Sequence, residues 1–214
     1  MPQDFLISES VRAESEGHLT GLVSVADGVL DAARQRKVFE FLSEPGWQFG
    51  WKSDPKADPY AFWNKHFAGS IHPDHLLKDG NGRQYDCAEE LQRNAPLVHE
   101  MWQHLRQTAL SGHMLMRCYA NGHTFGSDGS VHTDSLVEHS FTSVYYPHQK
   151  WEPNWGGETI LFNKEKSDIV ASIYPRPNRL VTFRGTVPHV ARGVARVCPV
   201  MRITLMFKTE RRQD

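Results

Sequence analysis

Apolar residues recur at alternating steps of three and four through Ala88, Leu91, Ala95, Val98, Trp102 and Leu105, which lays one apolar stripe along a helix. Pro96 interrupts this run and predicts a restart after Asn94, because proline lacks the N–H a helix interior needs yet fits a first turn. An earlier stretch, 26–44, carries Leu30, Ala33, Val38 and Phe41 at helical spacing, with Asp27 as expected cap and Pro45-Gly46 as stop. Between the two, residues 47–85 hold Trp47, Trp51, Tyr60, Phe62, Trp63 and Phe67 among prolines and glycines. That segment is too aromatic for a linker and too interrupted for a helix. Residues 47–67 are read as a lid over a site, with Trp51 and Trp63 facing the substrate, or as a second small core beneath the helices, and the lid is the preferred reading.

From Gly112 the pattern changes to short strands: HMLMRCYA, EHSFTSVYYP, TILF, RLVTFRG and VMRITLMFK, with turn chemistry at Asn121-Gly122, Ser127-Asp128-Gly129 and Gly156-Gly157. Roughly eight such segments predict a double-sheet jelly roll around a cavity. In the last one, Arg202, Thr204, Met206 and Lys208 alternate with Ile203, Leu205 and Phe207. If the apolar set packs on the helices, Arg202 and Thr204 point into the barrel. The expected fold is mainly β with helical support (α+β). It is read as one domain over 1–214: 1–111 gives the helices and the aromatic lid, and 112–209 the jelly-roll core.

Composition removes whole classes of function. With 39% hydrophobic and 23% charged residues, the chain has enough apolar material for a core and is not of the disordered type. Lys+Arg 24 against Asp+Glu 25, with no basic cluster, argues against a nucleic-acid partner. No apolar run is long enough to span a bilayer, and MPQDFLISES lacks the basic-then-apolar order of an export signal. Cys87, Cys118 and Cys198 are widely spaced with no C-x-x-C pair, so a reducing, cytoplasmic setting is expected. Oligomeric state is left open.

Twelve histidines raise the question of a metal. A His-x-Asp pair with a distant second histidine supplies the two imidazoles and one carboxylate of a mononuclear non-haem iron centre. Chance alone gives roughly one such pair in a chain of this composition, and this one has two, His72-Pro73-Asp74 and His132-Thr133-Asp134. The first sits in the interrupted segment, with a proline between the ligands. The second opens the β region, where a spacing of two on a strand puts both side chains on one face. His189 follows 55 residues after Asp134, and Arg202 thirteen after that. A buried Arg202 could grip a dicarboxylate through its planar fork, with Thr204 adding a hydroxyl; Arg192 and Arg196 are alternatives for that anchor.

MRCYANGHTFGSDGSVHTD, TSVYYPHQKWEPNWGGETILF and NRLVTFRGTVPHVARGV with Arg202-Ile-Thr resemble, in order, blocks of the Fe(II)- and 2-oxoglutarate-dependent oxygenases, and in particular the prolyl-4-hydroxylase-like branch. The resemblance spans about residues 112–209. It implies a double-stranded β-helix, Fe(II), and 2-oxoglutarate and O2 as cosubstrates. It further implies His132, Asp134 and His189 as catalytic iron ligands, Arg202 on the 2-oxoglutarate C5 carboxylate, Tyr146 against that carboxylate and Tyr119 beside the metal. Arg117 shares the face of Tyr119 and is read as a solvent-facing cation or as a contact for an acidic substrate. An aspartate at 134, where halogenating relatives carry a small residue, points to oxygen transfer. The expected reaction is hydroxylation, or related C–H oxidation, of a small amino-acid-derived or natural-product molecule. The alternatives are a prolyl or other protein-residue hydroxylase, with a peptide as partner, and a metal-free jelly-roll ligand-binding protein.

Overall fold

The computed structural model describes residues 21–54, 58–70 and 86–211; the His72-Pro73-Asp74 pair lies outside them. The first helix, α1 (Ala32–Ser43), starts later than expected. Its cap is Asp31, which accepts from the Arg34 N–H at 2.8 Å. Asp27 instead ends a strand, β1 (Val23–Asp27), and its carboxylate receives Arg176 and Arg179. The alternation of Val23, Val25 and Asp27 is a strand signal, and the helical spacing read through 26–44 had absorbed it. Glu44 is extended, as the residue before a proline must be, and the helix stops there.

The second helical run divides at Pro96 as predicted, into α2 (Ala88–Asn94) and α3 (Pro96–Leu105). Leu91, Ala95, Val98, Trp102 and Leu105 are all fully buried. They share a core with Ile203, Leu205 and Phe207 of the last strand, and Trp102 stacks on Phe207 at 5.9 Å.

Two sheets face each other. The larger has the order β1-β8-β5-β10-β4-β3-β2, formed by β1, β8 (Arg179–Arg184), β5 (Ser140–Tyr146), β10 (Arg202–Arg211), β4 (His113–His123), β3 (Phe62–Gly69) and β2 (Gln48–Trp51), and the smaller is β7 (Ile169–Ile173), β6 (Thr159–Phe162) and β9 (His189–Ala191). All described pairings are antiparallel. The outer face of the large sheet lies on the helices. Its inner face and the small sheet enclose a second cluster that includes Val144, Tyr146, Leu161, Val181 and Phe183. This is the mainly-β jelly roll with helical support that the strand pattern predicts.

The aromatic segment corrects the expectation of a lid. β2 and β3 extend the large sheet beyond β4. Asn64 donates to Asn121, which lines the cavity, so strand alternation turns its neighbour Trp63 to the opposite face. Trp63 rests there on Phe49 at 5.1 Å and does not line the cavity. Trp51, at the end of β2, does line the cavity. Cys87 and Cys118 are buried packing residues, and burial pushes the Cys87 thiol up to about 12. No helix among the described residues is long and apolar enough to cross a membrane.

Candidate metal centre and its anion-binding end

His132, Asp134 and His189 place one ligand atom each within 4.8 Å of one another. The backbone builds this cluster. His132 and His189 exchange N–H···O bonds of 3.0 and 2.8 Å, an isolated bridge that adds His132 to the edge of the small sheet. Asp134 is not in a strand; its N–H is pinned on the Gly185 carbonyl at 2.9 Å. Both imidazoles engage a backbone carbonyl through Nδ1, His132 on Ser130 at 2.8 Å and His189 on Val187 at 2.9 Å. With Nδ1 the protonated nitrogen, each Nε2 keeps its lone pair for the shared centre. Those Nε2 atoms lie 3.6 and 3.1 Å from the two Asp134 oxygens. Asp134 also accepts from Thr142 Oγ1 at 2.6 Å and from the Lys208 ammonium.

Electrostatics favours the charged carboxylate. Burial alone would raise the Asp134 carboxyl, but Lys208 and the two histidines hold it well below the ordinary range. Burial pushes His189 down, toward the neutral form that binds metal. His132 moves up instead: Asp134 outweighs its burial.

A cavity of about 470 Å³ joins the triad to Arg202. Arg202 is 1% exposed; its Nε donates to the Gly157 carbonyl at 2.6 Å and its Nη2 to Thr159 Oγ1 at 3.1 Å. Thr159 bonds the Tyr146 hydroxyl at 2.7 Å, and the Tyr146 ring lies 5.5 Å from the guanidinium. Gly157 explains the Gly-Gly turn: its φ is +81°, and a Cβ there would stand 2.8 Å from Arg202 Cδ. No described carboxylate lies within ion-pair distance of Arg202. Glu158 acts on it only from beyond that distance; a guanidinium buried without a paired carboxylate is costly, and an anionic ligand at this end would supply one.

The geometry brings together His132, Asp134, His189, Arg202, Thr204, Tyr119, Arg117 and Trp51 along one cavity, with Tyr146 joined to it through Thr159. It leaves out Arg192 and Arg196, which are exposed; Arg196 lies over Phe125. Arg117 is buried at 4% exposure, which removes the solvent-facing reading. Sequence reasoning missed Thr159, Thr142 and His123. Lys208 did carry a signal, since it shares the inward parity of Arg202 and Thr204.

His123 pairs across the strands with Arg202, stacks on Phe62 at 4.5 Å and has no partner for Nδ1. Burial, helped by Arg202, pushes its pKa down to about 3; the same two causes push His148, which accepts from the Ile203 N–H, down to about 4. Both rings are neutral when folded, whereas the unfolded chain takes up protons below about 6.5. Their stabilisation is complete above that value and is lost as pH falls toward the folded values, at about 1.4 kcal/mol per pH unit for each histidine. His66 and His113 shift the same way, and His132 opposes them. Urea midpoints of the metal-free protein should fall steadily from pH 7 to pH 5. A flat profile would contradict neutral burial of the pair.

Residues 114–207 match the 2OG-Fe(II) oxygenase superfamily, and that stretch contains the His132/Asp134/His189 cluster and Arg202. Over that stretch, 94 of the 214 residues, the chain is similar to this superfamily. The chain shares its fold with a prolyl-4-hydroxylase from Pseudomonas putida, at 16% identity, TM-score 0.56, covering 95% of this chain and 100% of that one. A prolyl hydroxylase from Trichoplax adhaerens, solved with a hypoxia inducible factor peptide, aligns at 14% identity and TM-score 0.58 over 97% and 94%. HygX from Streptomyces hygroscopicus, solved with nickel, 2-oxoglutarate and hygromycin B, aligns at 11% identity and TM-score 0.58 over 94% and 87%. No curated protein matches the chain significantly. Enzymes of this superfamily use Fe(II), 2-oxoglutarate and O2.

Proposed function

We propose that this chain couples oxidative decarboxylation of 2-oxoglutarate to hydroxylation of a small organic molecule. His132, Asp134 and His189 hold the iron; Arg202 and Thr204, with Tyr146 and Thr159 behind them, hold the 2-oxoglutarate C5 carboxylate. The observation that carries this reading is the single cavity with a three-ligand cluster along its wall and a buried, carboxylate-free guanidinium at its end. The donor set of two imidazoles and one carboxylate fits a non-haem Fe(II) that keeps positions open. When bound, iron, 2-oxoglutarate and O2 supply the oxidant, with succinate and CO2 as co-products.

The chain contributes orientation and enclosure. Ser130 and Val187 carbonyls fix the imidazole tautomers, and Thr142 and Lys208 hold the carboxylate in place. Val144, Met206 and Tyr119 supply apolar wall that keeps water from the reacting centre. A cavity near 470 Å³ is of small-molecule size. Because the helices share one core with β10, we take the described residues as one oxygenase domain.

Anaerobic addition of Fe(II) and then 2-oxoglutarate should produce the weak visible charge-transfer band of the chelate, and His189→Ala should not form it. Absence of the band in the unmodified protein would overturn the assignment. For the substrate, free amino acids and small acids should stimulate succinate formation where proline-containing peptides do not; the reverse result would make this a peptide hydroxylase, as the Trichoplax protein's bound peptide suggests.

A further inference from the structure

Two members of the cluster, His132 and Asp134, lie in a stretch, 124–139, that joins β4 to β5 with no helix or strand beyond the bridge at His132. Whatever holds this stretch therefore decides where the ligands stand. Asp134 hangs by its N–H on Gly185, and the His132 backbone is tied to His189. The His132 imidazole depends on a further point, the Ser130 carbonyl at its Nδ1. The equivalent point under His189 is secured by packing: the Val187 N–H closes a turn on the Arg184 carbonyl at 3.0 Å, and its side chain is buried in the inner apolar cluster. Ser130 has no apolar side chain to anchor it and is only half-buried.

A carboxylate from another part of the chain does that work. Asp58 is 3% exposed, and its Oδ1 accepts the Ser130 N–H at 2.6 Å across 72 residues of sequence. Asp58 is itself held from three sides. Its Oδ2 accepts the Asp54 N–H at 3.0 Å, its own N–H donates to the Asp54 carbonyl at 2.9 Å, and the Lys52 ammonium donates to its main-chain carbonyl at 2.9 Å. Burial alone would raise the Asp58 carboxyl, but the bonds from Ser130, Asp54 and Ser53 hold it below the ordinary range. An ionised acceptor makes the bond from Ser130 a strong one.

Building on the metal site proposed above, we infer that Asp58 is a positioning residue for that site: through Ser130 it sets the imidazole of His132, and with it the direction in which Nε2 meets the metal. Supporting groups of this kind orient a ligand without touching the ion. Asp128 supplies a contrast within the same stretch. It too accepts a backbone N–H, that of Gly193, but this bond leads away from Ser130 and His132.

Zinc(II), which is diamagnetic, reads the site without turnover. In protein labelled with 15N-histidine, the zinc-loaded site should show imidazole Nδ1–H signals of His132 and His189 protected from water, assigned by their loss in His132→Gln and His189→Gln. Asp58→Ala should shift or broaden the His132 signal and leave that of His189 in place. It should also weaken zinc binding, measured by competition with a chromophoric chelator, by about tenfold, the lower end of what a lost supporting contact costs. Asp58→Asn, whose amide oxygen still suits the Ser130 N–H, should fall between, and Asp128→Ala should match the unmodified protein in both readouts. An unmoved His132 signal with unchanged affinity in Asp58→Ala overturns the inference. So does an equal loss in Asp128→Ala, or an equal disturbance of both imidazoles, since either marks a general loosening of the loops. Should Asp58→Ala fail to fold, Asp58→Asn carries the test with the same readouts and the same overturning result. An unmodified protein without the protected pair of imidazoles loses the metal site itself, and this inference with it.

Discussion

Asp134→Ala is expected to abolish succinate formation and to weaken Fe(II) binding by about a hundredfold or more, beyond the 10- to 100-fold typical of losing a supporting contact. The carboxylate is the one anionic member of the cluster and sits within 3.1 Å of His189 and 3.6 Å of His132. Its removal leaves two neutral imidazoles beside the Lys208 ammonium, which repels a dication. Asp134→Asn should fail almost as badly, because it keeps the shape and loses the charge. Iron content after desalting, read together with succinate yield, checks both variants. Near-normal iron and turnover in Asp134→Ala would remove the triad from the mechanism.

Arg202→Met is expected to raise the KM for 2-oxoglutarate by on the order of a hundredfold, the consequence of losing a buried charge-assisted pair worth about 2–5 kcal/mol. Iron affinity should hardly change, because Arg202 does not touch the cluster. Ligand-free stability should also change little. The Gly157 carbonyl loses its donor, but the fold no longer buries a guanidinium without a described carboxylate, and the two effects offset. Arg202→Lys should fall between, keeping the charge and losing the fork. Steady-state KM for 2-oxoglutarate and thermal midpoints without it separate these outcomes. An unchanged KM in Arg202→Met would move the anchor elsewhere.

The two variants probe different kinds of sequence information. Arg202 was readable because β10 is a regular strand: period-two alternation fixes its face from neighbours two residues away, and the structure keeps that parity through Lys208. The helix restart at Pro96 was readable for the same reason, since a missing N–H is a local fact. The helix start at 26–27 was misread because a five-residue strand can mimic one turn of helical spacing. The lid failed on a longer-range matter. Aromatic content does not say which strand a segment will pair with, and pairing with β4 is what turned Trp63 toward Phe49.

By itself the sequence determined the helix break at Pro96, the run of strands after Gly112 and the inward face of β10, and it offered His132, Asp134, His189 and Arg202 among the residues with suitable chemistry. Each of these follows from local periodicity or from residue type. Only the tertiary structure decided that Ser130 and Val187 carbonyls engage the Nδ1 atoms, that Thr159 links Tyr146 to Arg202, and that Arg117 is buried between two rings instead of facing solvent. Those facts depend on contacts between segments tens of residues apart. Their geometry is set by sheet register and packing, which no short window of the chain contains.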